Sequence, residues 1–138
     1  MSGDLFISLL AATILAGTPL LYATLGEMLT ERSGVLNLGV EGMMLLGAFF
    51  AFFVEMKTGN HWLAVLAAGL GTGCIGLLHG VASLVFQGNQ TVSGLALTIF
   101  GVGLSDYLGA PFGGTLTEGF QPFPLPVLGQ IPLFGPVF

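Results

Sequence analysis

Four charged side chains lie close together in a chain that is otherwise almost free of charge. They account for nearly half of its formally charged residues, which are two Lys or Arg and seven Asp or Glu, and they are Glu27, Glu31, Arg32 and Glu41. Long apolar runs flank this stretch on both sides. A charge beside or inside a membrane span costs free energy, so such residues generally have a function.

Glu41 is the strongest candidate for a functional role. At membrane depth its carboxyl group must be paired, hydrogen-bonded or protonated. It could form the polar wall of a solute pathway, or it could serve the structure by capping a broken helix or pairing with Arg32. Asn37 lies four residues earlier and would share its helical face. We therefore treat Asn37 and Glu41 as one candidate site.

A second polar group precedes the last apolar segment. Asn89, Gln90, Thr91 and Ser93 offer four hydrogen-bonding side chains at the entry to that segment. They could contact a sugar-like solute, or they could cap a helix, since Asn is favoured at that position. The stretch from Glu27 to Arg32, in contrast, is expected to be a solvated turn at the membrane boundary.

Several other chemistries find no support in the sequence. No Ser/His/Asp or Cys/His arrangement is present, no P-loop occurs, and the histidines His61 and His79 have no Cys or carboxylate at metal-ligand spacing. We therefore predict no catalytic site, no metal and no cofactor. Nucleic acid is an unsuitable partner, because only Arg32 and Lys57 could neutralise phosphate. His79 is expected to form a hydrogen bond between helices.

The composition identifies the elements that must hold these polar groups. The chain is 54% hydrophobic and 7% charged, with a mean hydropathy of +0.95, whereas soluble domains contain roughly 25% charged residues. Membrane lipid is therefore a partner. A first apolar segment, residues 5–25, is long enough to span a bilayer, and it lacks the basic start of a signal peptide. Pro19 should bend this helix.

Three further apolar segments follow, and we predict an all-α, polytopic membrane protein with about four transmembrane or re-entrant helices. The polar breaks at 55–60 and 87–90 delimit these segments, which are 35–54, 61–86 and 91–110. A tail, residues 111–138, holds six of the seven prolines and cannot be a continuous helix. The expected domains are a helical membrane portion, 1–110, and an extramembrane Pro/Gly-rich loop, 111–138.

Glycines carry two further predictions. Within 39–42 they should make the second helix start late or break, and irregular backbone at membrane depth survives only where it is buried in protein or lines a cavity. In the third segment four glycines at spacings of four, three and four form a stripe on one helical face, a pattern that lets membrane helices pack closely. The stripe consists of Gly69, Gly73, Gly76 and Gly80.

Two long motifs resemble a known family. GEMLTERSGVLNLGVEGMMLLGAFFAF, residues 26–52, resembles the opening signature of permease subunits of bacterial ABC importers, and GNQTVSGLALTIFGVGLS, residues 88–105, is similar to a later signature. The most similar group is that of nucleoside and simple-sugar permeases, relatives of the ribose and branched-chain amino acid permeases. The resemblance covers essentially the whole chain.

The resemblance implies a multi-pass protein of the bacterial inner membrane. Its partners would be a second permease subunit, cytoplasmic ATPase subunits and an extracytoplasmic solute-binding protein. By the same resemblance the residues near the solute pathway would be Asn37, Glu41, Asn89, Gln90 and Ser93. The chain departs from the family in being much shorter and in lacking the later coupling loop. We therefore expect the N-terminal portion of a permease, with a small helical assembly or regulatory protein as the alternative.

Overall fold

A computed structural model describes residues 2–120, and all regular elements in that range are helical. The α-helices are α1 (Ser2–Arg32), α2 (Val40–Thr58), α3 (His61–Gly80) and α4 (Gln90–Gly109). A π-helical turn, Val81–Val85, continues α3, and a 3-10 turn, Ala110–Phe112, follows α4. The all-α prediction is confirmed for the described residues.

Three of the helical stretches are long and apolar enough to cross a bilayer: Leu5–Arg32, His61–Val85 and Gln90–Phe112. The helix α2 is not among them, because its 19 residues include three charged side chains, Glu41, Glu55 and Lys57. The chain is an integral membrane protein, as its composition predicts. Most large apolar side chains of α3 and α4 are exposed, as lipid-facing side chains should be.

The first helix is longer than the sequence suggested. It runs through Pro19 and continues to Arg32, so the predicted boundary turn at Glu27–Arg32 is wrong. This stretch is rich in Glu, Met, Leu and Arg, which all favour the helix. The helix ends just before Gly34, whose φ of +84° suits glycine far better than any residue with a side chain.

Residues 26–119 form one compact unit, in which α2 is the central helix. It packs against both α3 and α4, which contact each other little. The helix α4 runs in the same direction as α2, since Gly94 lies against Leu38 and Gly101 lies against Gly42. The helix α3 runs in the opposite direction, with Thr72 against Gly47.

A tight connection joins α2 to α3. Gly59 adopts a left-handed conformation (φ +63°) and donates its N–H to the Glu55 carbonyl. Asn60 caps α3, its side-chain oxygen accepting from the N–H groups of Trp62 and Leu63 at 3.0 and 3.1 Å. The predicted polar break at 55–60 therefore shrinks to two residues, because Glu55 and Lys57 remain in the helix.

The remaining boundaries match the predictions closely. The helix α2 starts late, at Val40, and α4 spans nearly the predicted 91–110. Of the predicted Pro/Gly-rich loop, Pro111 and Phe112 lie in the 3-10 turn and residues 113–120 are non-helical, whereas residues 121–138 lie outside the described part of the chain.

The buried interior of the described residues is small and partly polar. Leu46 is fully buried and Ala64 nearly so, while the buried polar side chains are Asn37, His79 and Ser83. A buried polar group costs free energy unless it is hydrogen-bonded. The polar members all lie at the end of the bundle where α2 and α4 begin and α3 ends, and this end carries the candidate site.

Candidate functional site

The centre of the site is a non-helical stretch between α1 and α2, residues 33–39, here called the connecting segment. Its two glycines favour this conformation: Gly34 has a positive φ, and Gly39 caps α2 without a side chain. A Cβ on Gly39 would lie 2.5 Å from the Leu97 side chain, so the segment lies tightly against α4. The late, irregular start predicted for this helix is confirmed.

Side chains of α4 hydrogen-bond the backbone of the connecting segment. Gln90 accepts the Leu36 N–H at 2.7 Å through Oε1 and donates Nε2–H to the Gly34 carbonyl at 3.2 Å. Thr98 donates its hydroxyl to the Leu38 carbonyl at 2.7 Å. Thr98 lies eight residues into α4, which is about 12 Å along the helix axis. Its hydrogen bond to Leu38 therefore places Leu38 beside α4 at that height. The segment therefore lies beside the interior of a candidate membrane span.

Glu27, near the end of α1, supplies another contact to the segment. Its Oε1 accepts the Asn37 N–H at 2.8 Å, and its Oε2 accepts the Thr30 hydroxyl at 3.0 Å. Hydrogen bonds to an ionised carboxylate are roughly twice as strong as neutral ones. Glu27 is half-buried and fixes the connecting segment, whereas Glu31 and Arg32 are exposed.

His79 connects three elements at the same end of the bundle. It is only 4% exposed. Its Nδ1 lies 3.1 Å from the Ser93 hydroxyl on α4, and its Nε2 lies 3.2 Å from the Leu36 carbonyl. The Ser83 hydroxyl, in the π-helical turn, is 3.4 Å from the same Nε2. The expected hydrogen bond between helices is confirmed.

The predicted pathway residues Asn37, Gln90 and Ser93 belong to this one network. Asn37 is 7% exposed, and its Oδ1 accepts the Gly39 N–H at 3.0 Å. Asn89 lies at the edge of the network, where its side chain caps α4 by accepting the Val92 N–H at 3.1 Å. In this structure their side chains bond to protein groups, and their contact with a solute remains a prediction.

Glu41 differs from the other predicted residues because it is exposed. It lies in the first turn of α2, one residue before Gly42, which contacts Leu97 and Thr98 of α4. Its level in the bundle is therefore the same as that of Thr98. Among the residues described, none forms a hydrogen bond or ion pair with its carboxylate, so the predicted alternative of a pair with Arg32 is not observed.

The helices α2 and α4 meet backbone to backbone at two glycines. A Cβ added to Gly101 would lie 2.5 Å from the Gly42 Cα, and one added to Gly42 would lie 2.7 Å from the Leu97 carbonyl oxygen. Real Cβ contacts essentially never come closer than 3.0 Å. This contact holds the start of α2, and with it the connecting segment, against α4.

The predicted glycine stripe on α3 lies largely away from the other described helices. A Cβ on Gly69, Gly73 or Gly80 would meet nothing within 4 Å, and one on Gly76 would meet only Met43 Sδ at 3.7 Å. Gly71, off the stripe, is the α3 glycine that packs tightly, against the Phe50 ring. The role of the stripe in close helix packing stays a prediction, and its partner would be outside the described residues.

The opposite end of the bundle carries a carboxylate–histidine contact and an apolar cavity. Glu55 Oε1 lies 2.7 Å from His61 Nδ1, while Glu55 Oε2 is buried without a described partner. Beside this end is an open apolar cavity of about 760 Å³. Its lining consists of Phe49, Phe50, Phe53, Tyr107, Leu108, Ala110, Pro111 and Phe112. Neither feature contacts the connecting segment.

Within residues 2–120 no three His, Cys, Asp or Glu side chains come close enough to hold a metal ion. Three residues of the site were not among the predicted site residues: Glu27, His79 and Thr98. Each bonds to the backbone of the connecting segment. Glu27 is 10 residues from its partner in the sequence, whereas His79 and Thr98 are 43 and 60 residues from theirs. The only signal in the sequence was their polarity within apolar stretches.

Comparison with known protein families finds a match over nearly the whole chain. Residues 9–138 match the family described as the branched-chain amino acid transport system permease component. The chain belongs to this permease family. The family resemblance predicted from the two motifs is confirmed.

Individual members of the permease family match over nearly the whole chain. A protein of Haloferax volcanii, TsgC13, provisionally named a glucose ABC transporter permease, is 42% identical over 137 residues, which are 94% of this chain and 41% of the relative. The guanosine ABC transporter permease NupQ of Bacillus subtilis is 34% identical, over 92% of this chain and 43% of its own length.

A third relative extends the comparison to another nucleoside transporter. The nucleoside ABC transporter permease NupC of Lactococcus lactis is 28% identical, over 94% of this chain and 44% of its own length. The chain therefore spans less than half the length of these curated relatives. These relatives are transport components rather than enzymes. No solved structure matches the chain.

Proposed function

We propose that this chain forms part of the permease subunit of an ATP-driven importer for nucleosides or simple sugars. The proposal rests on its membership of the permease family, together with relatives named for glucose, guanosine and nucleoside transport. Its cytoplasmic ATPase subunits, a second permease subunit and an extracytoplasmic solute-binding protein would be separate chains. The solute pathway would pass the connecting segment and the beginning of α4.

The pathway proposal rests on one observation: the irregular backbone of the connecting segment lies at the same height as the interior of a membrane span. The carbonyl of Leu38 and the N–H of Leu36 are satisfied by side chains instead of by a helix. In lipid each unsatisfied backbone group costs several kcal/mol, so such backbone occurs where it is buried in protein or lines a water-filled cavity. This supports a pathway wall at the connecting segment.

Glu41 gives independent support. Its carboxylate is exposed at the level of Thr98 and has no partner among the described residues. An Asp carboxylate, which carries the same charge, costs roughly 2.5–3.5 kcal/mol at the centre of a membrane helix on insertion scales. Water in a pathway, or a polar solute, would remove most of this cost. Asn89, exposed at the start of α4, would lie near the same opening.

The test is uptake by the assembled importer, with the chain produced from its complete gene beside its partner subunits. We expect Glu41→Gln to lower uptake of radiolabelled guanosine or glucose by more than it lowers the amount of protein in the membrane. The reason is that the amide keeps the shape of the side chain but removes its charge. Glu31→Gln is the matched control, because Glu31 is also exposed but lies at the end of α1.

Two results would contradict the proposal. Absence of uptake of either probe by an importer that is assembled in the membrane would refute the transport function. Equal uptake by the Glu41 and Glu31 variants would leave transport intact but refute the pathway role of Glu41. The alternative, a small assembly or regulatory protein, predicts a gene without neighbouring ATPase and binding-protein genes, so reading the surrounding DNA separates the two functions.

A further inference from the structure

We propose that His79 is a positioning residue that fixes the connecting segment through one proton on Nε2. The inference rests on the proposed function, since the segment is the part of the chain assigned to the solute pathway. Among the described residues, His79 hydrogen-bonds to Leu36, Ser83 and Ser93, and not to the exposed residues Glu41 and Asn89 that would meet the solute directly. Its role would be to hold the backbone that precedes Glu41 in one conformation.

The hydrogen-bond partners determine which nitrogen carries the proton. The Leu36 carbonyl, 3.2 Å from Nε2, can only accept, so Nε2 is the donor. In a neutral ring Nδ1 then has a free lone pair, and the Ser93 hydroxyl at 3.1 Å donates to it. Both ring nitrogens are thus satisfied by a neutral imidazole, which suits a side chain that is only 4% exposed.

His79 and Gln90 together hold a single residue from two sides. Gln90 of α4 accepts the Leu36 N–H at 2.7 Å, and His79 of α3 donates to the carbonyl of the same residue. No helix or sheet bond holds these two groups. The orientation of the Leu36 peptide groups therefore depends on side chains: Gln90 holds the N–H, His79 holds the carbonyl, and Glu27 accepts the Asn37 N–H of the same peptide unit as that carbonyl.

The π-helical turn after His79 supports the positioning role of this residue. Phe86 N–H bonds to the Val81 carbonyl at 3.1 Å, the wider spacing typical of a π-helix. Such turns are rare and occur frequently at functional sites. Here the turn carries Ser83, which is 6% exposed and has its hydroxyl 3.4 Å from His79 Nε2. The end of α3 is thus built around the ring of His79.

Two substitutions distinguish the roles of the two ring nitrogens of His79. The side-chain amide of Gln reaches the position of Nε2, so His79→Gln keeps a donor for the Leu36 carbonyl. The shorter Asn reaches only the position of Nδ1, so His79→Asn keeps a partner for Ser93 and loses the bond to Leu36. Leu84→Ala is the matched control, since Leu84 is in the same π-helical turn but is 61% exposed.

Amide hydrogen exchange of the purified, membrane-embedded protein measures how well the backbone of the connecting segment is protected. This readout does not depend on transport activity. We expect His79→Asn to speed exchange at Leu36, Asn37 and Gly39 by about fivefold or more, because a buried carbonyl loses its donor. His79→Gln and Leu84→Ala should stay near the wild-type rates. The α2–α3 connection at Gly59 and Asn60 should exchange equally in all four proteins, which shows that the effect is local.

Uptake of guanosine and glucose by the assembled importer is the second readout. His79→Asn should lower uptake by about fivefold or more at unchanged membrane levels, and His79→Gln should restore most of it. Equal exchange rates in the Asn and Gln variants would overturn the inference, as would faster exchange throughout the bundle. Absence of uptake in the wild type, with the exchange pattern as expected, would refute the proposed function and leave the positioning role of His79 intact.

Discussion

The backbone contact between α2 and α4 makes a quantitative prediction about Gly101. The substitution Gly101→Ala adds a Cβ that would lie 2.5 Å from both the Cα and the carbonyl oxygen of Gly42. Ordinary van der Waals contact for such an atom begins at 3.4 Å, so the two helices must separate by about 0.9 Å locally. The opposing atoms are backbone, so no side chain can rotate away.

The expected cost follows from packing energetics. Adding a methyl group to a well-packed contact costs typically 1–3 kcal/mol, and a gap of 0.5–1 Å forfeits a quarter to a half of each neighbouring dispersion contact. Replacing Gly by Ala inside a helix also gains up to about 1 kcal/mol from helix propensity. That gain must be removed by a control before the cost of the contact can be measured.

Gly103→Ala is the appropriate control. Gly103 lies two residues further along α4, and a Cβ there would meet nothing within 4 Å. The propensity gain is common to both variants, so their difference in free energy of unfolding isolates the clash, expected at about 1–3 kcal/mol with Gly101→Ala less stable. Denaturant titration of the purified proteins in mixed micelles measures it. Equal stability of the two variants would refute the backbone contact.

Two further predictions use the same unfolding assay. Gly73→Leu should leave the stability of the chain nearly unchanged, because a Cβ on Gly73 meets nothing within 4 Å, but it should reduce co-purification with the second permease subunit if the stripe packs there; normal assembly would exclude the stripe as that contact. Asn60→Ala should cost about 1 kcal/mol by removing the cap of α3, and an unchanged unfolding midpoint would show that the cap contributes nothing.

The sequence was sufficient for the helices because their signals are local. Apolar runs of spanning length, the glycines at 39–42 and the helix cap considered at Asn89 each act within a few residues. The exception is the end of α1. Charged residues suggested a turn at Glu27–Arg32, but helix propensity and the hydrogen bonds of Glu27 to Thr30 and Asn37 keep these residues in the helix.

The site was predictable only in part, because its contacts join distant positions. Asn37, Gln90 and Ser93 were recognised from motif resemblance, and the structure brings them into one network. His79 was expected only to bond between helices, and Thr98 was not singled out, because their partners on the connecting segment are 43 and 60 residues away and are backbone carbonyls, which every residue has. Likewise, spacing alone predicted a glycine stripe, whereas the tight contacts among the described residues fall on other glycines, which are Gly39, Gly42, Gly47, Gly71, Gly88, Gly94 and Gly101.

The way the connecting segment is held has a consequence for biosynthesis. Its backbone groups at Leu36 and Leu38 find their partners only 43 to 60 residues later in the chain. At 5–20 residues per second, the ribosome needs roughly 3–12 s to make the 60 residues that separate Leu38 from Thr98. Until then the Leu38 carbonyl lacks the partner that it has in the folded protein. An unsatisfied backbone group in lipid costs several kcal/mol, so we expect the connecting segment to enter the hydrocarbon region only after α4 has been made.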